Sequence, residues 1–242
     1  VHDKGNLLNE TVIQRGEPID EILASSDFVV KRTYQTQLVE HGFLETEAAL
    51  AEPWKDGELK LFVQSQGIYE DRHLVSRILN IPEDRIDVVL IPSGGAFGGK
   101  EDLTVQGHAA LFAHLLKKPV KVRLTRPESL RMHPKRHPLV MEYEVGCNKQ
   151  GKLTGLKARI IGDTGAYASL GPAVMNRSAG HAAAGFHVPN VDVISKAIYT
   201  NNLPAGAMRG FGVNQVTFAM ECAVDELCEL GGFDRWQFRY DN

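Results

Sequence analysis

The chain has 242 residues, 43% of them hydrophobic and 24% charged, and a formal charge of −3. That is ordinary globular composition, with enough apolar material for one large domain or two small ones. The charge balance argues against general nucleic-acid or membrane-surface binding, and no apolar run approaches the length that spans a bilayer.

The three cysteines, Cys147, Cys222 and Cys228, are odd in number and fit no zinc or iron–sulfur spacing. Cys222 and Cys228 read as small core residues of one helix, and a reducing, cytoplasmic setting is the simplest inference. Residues 1–24 are polar, with Gly5, Gly16 and Pro18, and read as a linker or the tail of a preceding domain. A short helix is expected to begin at Pro18. Residues 25–242 read as one mixed α/β (α+β) domain. Both ends read as cut, so a piece of a longer polypeptide is expected.

From Phe28 to Gln37 apolar and polar residues alternate, which predicts a strand. Glu40, His41, Glu45 and Glu47 then crowd into eight residues. A divalent-cation site is one reading; a charged strand end or loop is the preferred one. A strand over Leu59–Ser65 ends at Gln66-Gly67, where Gln66 is either a turn residue or an amide presented to a cleft. Asp71 is expected to cap a helix over 72–79, with Leu74, Val75, Ile78 and Leu79 on its buried face.

The apolar run Ile86–Ile91 predicts a strand, and apolar residues at helical spacing from Leu103 to Leu116 predict a helix. Between them lies Ser93-Gly94-Gly95-Ala96-Phe97-Gly98-Gly99-Lys100-Glu101-Asp102, a strand-to-helix glycine turn. Glycines let the backbone approach a ligand closely, and a helix N-terminus favours an anion. Lys100 is followed by Glu101 rather than Ser or Thr, so the turn is not a P-loop, and it matches only part of the dinucleotide fingerprint. Glu101 could equally be a first-turn acid favoured by the helix dipole.

Val120–Leu124 alternates as a strand. Arg126, Arg131, Lys135 and Arg136, with His133 and His137, form a basic stretch that is an anion site or, as preferred here, a solvated loop held by its prolines. Strands over Val140–Val145 and Leu153–Ile161 flank a turn at 149–152. A Gly/Ala-rich segment from Gly162 to Gly185 carries Arg177, with its guanidinium in a pocket or at the surface. After a strand over Val191–Tyr199 comes Ala207-Met208-Arg209-Gly210-Phe211-Gly212, a second Phe flanked by glycines. A helix from about Gln215 to Leu230 follows, ended by Gly231-Gly232. No Ser-His-Asp order or Cys-His pair suggests nucleophilic catalysis.

Taken together, Glu40-His41-x-Phe43-Leu44-Glu45-Thr46, Gln66, Gly94-Gly95-x-Phe97-Gly98-Gly99-Lys100-Glu101, Arg136-His137-Pro138 and Arg209-Gly210-Phe211-Gly212-x-x-Gln215 resemble the molybdenum hydroxylases. The pattern is similar to that of the molybdenum-binding large chain of xanthine dehydrogenase-like enzymes, across nearly all of 25–242. The resemblance implies a molybdenum–molybdopterin (pyranopterin) cofactor and hydroxylation of an electron-poor carbon with water-derived oxygen. It implies electron transfer through [2Fe-2S] clusters to FAD on other domains or subunits. It implies that Gln66 faces the metal, that the backbone at Gly95, Ala96, Phe97 and Gly98 approaches metal and pterin, and that Arg209 shapes the cofactor side. Phe211 would stack on a flat substrate, and Glu101 and Arg177 would grip it. A Glu and an Arg at these two positions imply a purine or similar N-heterocycle; aldehyde-oxidising relatives tend to be apolar there. The same resemblance puts the catalytic base outside this chain, so the chain alone is expected to be inactive, and the full enzyme is expected to be an oligomer. Ala96 stands where many relatives have Gly. An aldehyde oxidiser of the same family and a non-catalytic binding or assembly module are the alternatives.

Overall fold

The structure, a computed structural model, describes His2 and residues 5–242. In chain order the elements are β1 (Leu7–Arg15), α1 (Ile19–Ser25), β2 (Phe28–Gln35), β3 (Ala48–Pro53), β4 (Leu59–Val63), α2 (Ile68–Leu79), β5 (Ile86–Leu90) and α3 (Gln106–Leu116). There follow β6 (Val120–Arg123), α4 (Arg126–Met132), β7 (Lys135–Arg136), β8 (Leu139–Cys147), β9 (Leu153–Gly165), α5 (Gly171–Gly180), β10 (Asn190–Tyr199), β11 (Ala205–Gly206), α6 (Val213–Gly231) and α7 (Arg235–Asp241). The mixed α/β character is the one the sequence predicts. The single-domain reading is not: the chain forms two compact units. One holds the described residues up to Val39 with Arg136–Ala205 and Gly210–Asn242; the other holds Glu40–Lys135 and Gly206–Arg209.

The first unit is built on a five-stranded sheet in the order β1-β10-β9-β8-β2. Its β9–β10 pair is parallel, as a strand–helix–strand connection through α5 requires, and the other pairs are antiparallel. Leu139, Met141, Tyr143 and Val145 alternate inward along β8, while Val140 and Glu142 face out. That period of two is what a sheet with one covered face demands. The covering layer is α6, whose Val216, Ala219, Met220, Ala223, Val224 and Leu227 are fully buried at helical spacing. Cys228 shares that face, and the three cysteines are free thiols.

The segment expected to be a linker is part of this sheet. β1 pairs antiparallel with β10 from Leu7↔Ile198 to Arg15↔Val191, and α1 packs against β9. Its polar composition misled because β1 is an edge strand, half-buried at most. For Val1, Asp3 and Lys4 the linker reading lies outside the described residues.

The second unit has a four-stranded sheet, β5-β4-β3-β6, in which β4 and β5 are parallel and connected through α2. Ala49, Ala51, Leu61 and Val63 bury against Val75 of α2 and Ala109, Ala110 and Ala113 of α3. Three alanines on one side of α3 let that helix lie close to the sheet. α2 ends at Asn80 in the left-handed conformation.

Deleting Leu7–Arg15 strips the partner from the whole of β10. The truncated protein is expected to melt at lower temperature and to self-associate through the bared edge, as read by thermal unfolding and size-exclusion chromatography. An unchanged, monomer-like profile would restore the linker reading.

Candidate functional site

β4 leads through Gln64–Gly67 into α2, and this turn is bound to the glycine segment of the same unit. Gln66 N–H donates to the Lys100 carbonyl at 3.0 Å. Gln66 Oε1 in turn accepts from Gly98 N at 2.9 Å and from Lys100 N at 3.3 Å. The carbonyl end of this exposed side chain is thus spent on the loop, and the capacity that remains to it is the Nε2 donor. Gln66 is therefore a side chain with one orientation, which a solvated turn glutamine would lack.

The glycine segment needs its glycines. Gly95 and Gly98 have φ of 98° and 97°, and Phe97 between them is held at 54°. A bulky residue in the left-handed region stores strain, which concentrates at binding sites. A Cβ on Gly98 would sit 2.8 Å from the Ala207 carbonyl oxygen, and one on Gly99 2.8 Å from Phe43 Cε1 and 2.9 Å from His41 Cγ. Close approach is what these positions demand. Ala96 lies outside the positive-φ set, so a methyl group is tolerated there. The 206–209 strand of chain is held alongside: Arg209 N donates to Phe97 O at 2.9 Å, and His41 Nε2 contacts Ala207 O at 2.7 Å. Gln66, Gly95, Ala96, Phe97, Gly98 and Arg209 are thus brought together, with Phe97 and Arg209 exposed.

The turn does not run straight into a helix as expected. α3 begins only at Gln106, so Glu101 is not a first-turn acid and no helix N-terminus lies at the glycines. Glu101 is half-buried; burial, with Asp102 beside it, pushes its carboxyl above the usual range. That favours a form able to donate a hydrogen bond. Lys100 is buried, and its ammonium donates to Glu45 O, Gln64 Oε1 and Ser93 Oγ at 3.0–3.2 Å. Burial lowers its pKa. Its three donors tie the turn to the segment before β3, to the residue after β4 and to the start of the glycine segment.

The acidic stretch at 40–47 is a loop running into β3, as its preferred reading has it, whereas the basic stretch at 126–138 differs from its preferred reading as a solvated loop. Arg126–Met132 is a helix, and His133 and Lys135 are buried against the acids. His133 Nε2 lies 2.7 Å from Glu40 Oε1 and its Nδ1 2.8 Å from Glu47 Oε1, while Lys135 Nζ is 3.0 Å from Glu40 Oε2. Burial opposes the charge on Glu47, but hydrogen bonds from His133 and Ser129 outweigh it and lower its pKa. Glu40, His41 and His133 each place a ligand atom within 4.8 Å of the others. A cation there would displace the His133–Glu40 bond and face the Lys135 ammonium, so the cluster is a structural ion network. It carries Phe43, whose ring lies 4.8 Å from that of His133 and packs beneath Gly95 and Gly99.

In the first unit, Arg136 Nη1 donates to Asn214 Oδ1 at 2.9 Å and to Gln215 Oε1 at 3.4 Å, and Gln215 Nε2 donates to His137 O at 3.2 Å. The Arg136-His137-Pro138 stretch therefore fixes the first turn of α6, which here does follow directly from its glycines. Phe211 has φ of 50° between Gly210 at 94° and Gly212 at 95°, repeating the strained pattern of Phe97. A Cβ on Gly212 would lie 2.6 Å from Val174 O of α5, the helix that carries Arg177 in its last turn, exposed. Phe211 and Arg177 are thus presented by neighbouring parts of one unit.

Sequence reading missed the supporting residues His41, Phe43, His133, Lys135 and Asp71. Asp71 is not a cap: Gly67 is the N-cap and the Asp71 carboxyl is buried. A Lys and several His within a short acidic–basic pair of stretches were the signal available.

Two substitutions test this construction. Glu47→Gln removes one partner of a buried pair and is expected to cost about 3 kcal/mol of unfolding free energy in urea titration. Because the folded pKa of Glu47 is depressed below 4.5, that cost is full above pH 4.5 and fades as acid takes the pH through the folded value. Gly98→Ala is expected to cost about 1–3 kcal/mol and to raise amide exchange at Arg209, because the methyl group meets the Ala207 carbonyl.

The sequence matches the family of molybdopterin cofactor-binding domains over residues 1–242. It is 40% identical over 242 residues to a probable xanthine dehydrogenase subunit of Bacillus subtilis, covering 100% of this chain and 32% of that protein. It is 38% identical to the nicotinate dehydrogenase large molybdopterin subunit of Eubacterium barkeri, covering 100% of this chain and 57% of that one. The fold is similar to the aldehyde oxidoreductase from Desulfovibrio gigas, with a TM-score of 0.95 at 29% identity over 98% of this chain and 26% of that one. The chain thus spans between about a third and just over half the length of these curated relatives. Two strained turns with a Phe between positive-φ glycines, a pinned glutamine amide and a match over the whole length agree: this chain belongs to the molybdopterin cofactor-binding domain family of the xanthine dehydrogenase-like molybdenum hydroxylases.

Proposed function

We propose that the chain serves a molybdenum-dependent oxidoreductase that hydroxylates a purine or a related N-heterocycle, with oxygen derived from water. The observation that carries this reading is Glu101: a half-buried acid directly after the glycine turn, its pKa raised by burial and by Asp102. Such a carboxyl can donate to a ring nitrogen or accept from a ring N–H, which an aldehyde does not require. The relatives named for xanthine and nicotinate act, by those names, on nitrogen heterocycles.

The residues present fit a flat, polar cofactor. The backbone at Gly95–Gly98 is free of side chains where it approaches other groups, and the Gln66 amide offers one oriented donor. The molybdenum pyranopterin, when bound, supplies the two-electron redox and oxygen-transfer chemistry. Gln66, Phe97 and Gly98 would hold its metal end, and Arg209 its flank. Phe211 would stack on the substrate ring. Arg177 would stabilise negative charge gathering on a substrate oxygen, and Glu101 would hold the ring by its nitrogen. The catalytic base, the [2Fe-2S] clusters and FAD belong to other parts of a cytoplasmic, oligomeric enzyme. Among the described residues no helix is long and apolar enough to cross a membrane. The likeness to an aldehyde oxidoreductase favours a second reading, oxidation of an aldehyde.

The test is turnover by the full-length enzyme with its partner subunits on xanthine, nicotinate and benzaldehyde, with molybdenum content measured in parallel. Heterocycle oxidation is expected, and Glu101→Ala is expected to lower kcat/KM for the heterocycle by about a hundredfold. Aldehyde turnover without heterocycle turnover would overturn the substrate, and unchanged kinetics in Glu101→Ala would overturn the role of Glu101.

A further inference from the structure

Asp71 is a buried acid that no step above uses. It lies in the first turn of α2, 1% exposed, and its backbone N–H donates to the Gly67 carbonyl at 2.9 Å. Two neutral side chains hydrogen-bond to its carboxyl. Ser65 comes from the end of β4, one residue before Gln66. Gln106 comes from the start of α3, and its Nε2 donates to Asp71 Oδ2 at 3.4 Å. Each partner extends the network toward a site residue. Ser65 Oγ accepts from Gly67 N at 3.0 Å, which closes the turn that carries Gln66. Gln106 Oε1 accepts from Thr104 N at 2.8 Å and from Thr104 Oγ1 at 3.2 Å, which anchors the 101–104 segment that carries Glu101. The two segments also meet directly, since a Cβ on Gly67 would lie 3.8 Å from the Glu101 carbonyl oxygen.

We propose that Asp71 is a positioning residue that holds the Gln66 turn and the Glu101 segment in one arrangement. This deepens the functional reading above and rests on it for the roles of Gln66 and Glu101. Ser65 Oγ is already an acceptor for Gly67 N, so its proton points to Asp71, and Gln106 gives its amide hydrogen to the same group. Burial works against the charge and raises the pKa to about 6 despite both hydrogen bonds. Glu70, on the same turn, raises it further. Ser65, facing from the β4 end, and Gln106, facing from α3, carry no charge.

Because the pKa of Asp71 in this enclosed place lies above the usual 3.8, the arrangement is tightest with Asp71 protonated and loosens as the pH rises through about 6. The experiment uses the full-length enzyme with its partner subunits. Amide exchange is followed at 65–67 and 101–105 from about pH 5 to 8, corrected for intrinsic exchange, alongside kcat/KM on whichever substrate the wild type oxidises. Wild-type protection at both segments is expected to fall about tenfold together as the pH rises from about 5 through 6, with KM rising over the same interval and molybdenum content constant. Asp71→Asn, which keeps the shape and cannot ionise, is expected to show the low-pH exchange and KM at every pH. Flat wild-type protection across the range, or a step retained in Asp71→Asn, would overturn the proposal. Should Asp71→Asn fail to fold, the wild-type series decides by itself. Should the wild type oxidise no heterocycle, the substrate reading fails while the exchange series still decides for or against Asp71.

Discussion

Close backbone approach is the constraint on which the second unit depends. Gly98 and Gly99 lie where a methyl group would enter the Ala207 carbonyl on one side and the rings of Phe43 and His41 on the other. Everything around them maintains that closeness. Gln66 Oε1 gathers the amides of Gly98 and Lys100, the Lys100 ammonium binds three oxygens, of Glu45, Gln64 and Ser93, and Arg209 N closes on Phe97 O. The strained φ of Phe97 is tolerated because so many bonds fix its neighbours.

Beneath that surface the structure uses charge in an unusual place. Glu40, Glu47, His133 and Lys135 form a buried set in which two acids meet two bases. Buried ion networks contribute less to net stability than to uniqueness of geometry. Here the geometry matters, since His133 supports Phe43 and Phe43 floors the glycine turn. The first unit reaches the same end with neutral partners: Arg136 divides its hydrogen bonds between Asn214 and Gln215, and the Phe211 loop is held against α5.

The two acids that touch the candidate site from within the protein are tuned in the same direction. Glu101 and Asp71 both have raised pKa values because burial penalises their charge, and each has an acidic sequence neighbour. Their roles diverge through their surroundings. Glu101 is half-exposed and can meet a ligand; Asp71 is enclosed and can act only through Ser65 and Gln106.

The sequence by itself determined the mixed α/β class, most strands and the long helices, because period-two and period-3.6 apolar patterns are local properties of the chain. It also determined the glycine positions and the family resemblance, and through that resemblance the choice of Gln66, Glu101, Arg177, Arg209 and Phe211. Tertiary structure alone decided which polar residues are buried. The 40–47 acids read as a charged strand end or loop and the 126–138 bases as a solvated loop because each half looks unpaired in sequence, yet they neutralise each other across about ninety residues of chain. Asp71 read as a cap for the same reason, since a first-turn acid is usually local, while Ser65 and Gln106 that surround it come from other elements. β1 read as a linker because an edge strand needs little apolar surface, and its hydrogen-bond partner lies far away at β10. Long-range partners set the energy of a polar group, and no local pattern records them.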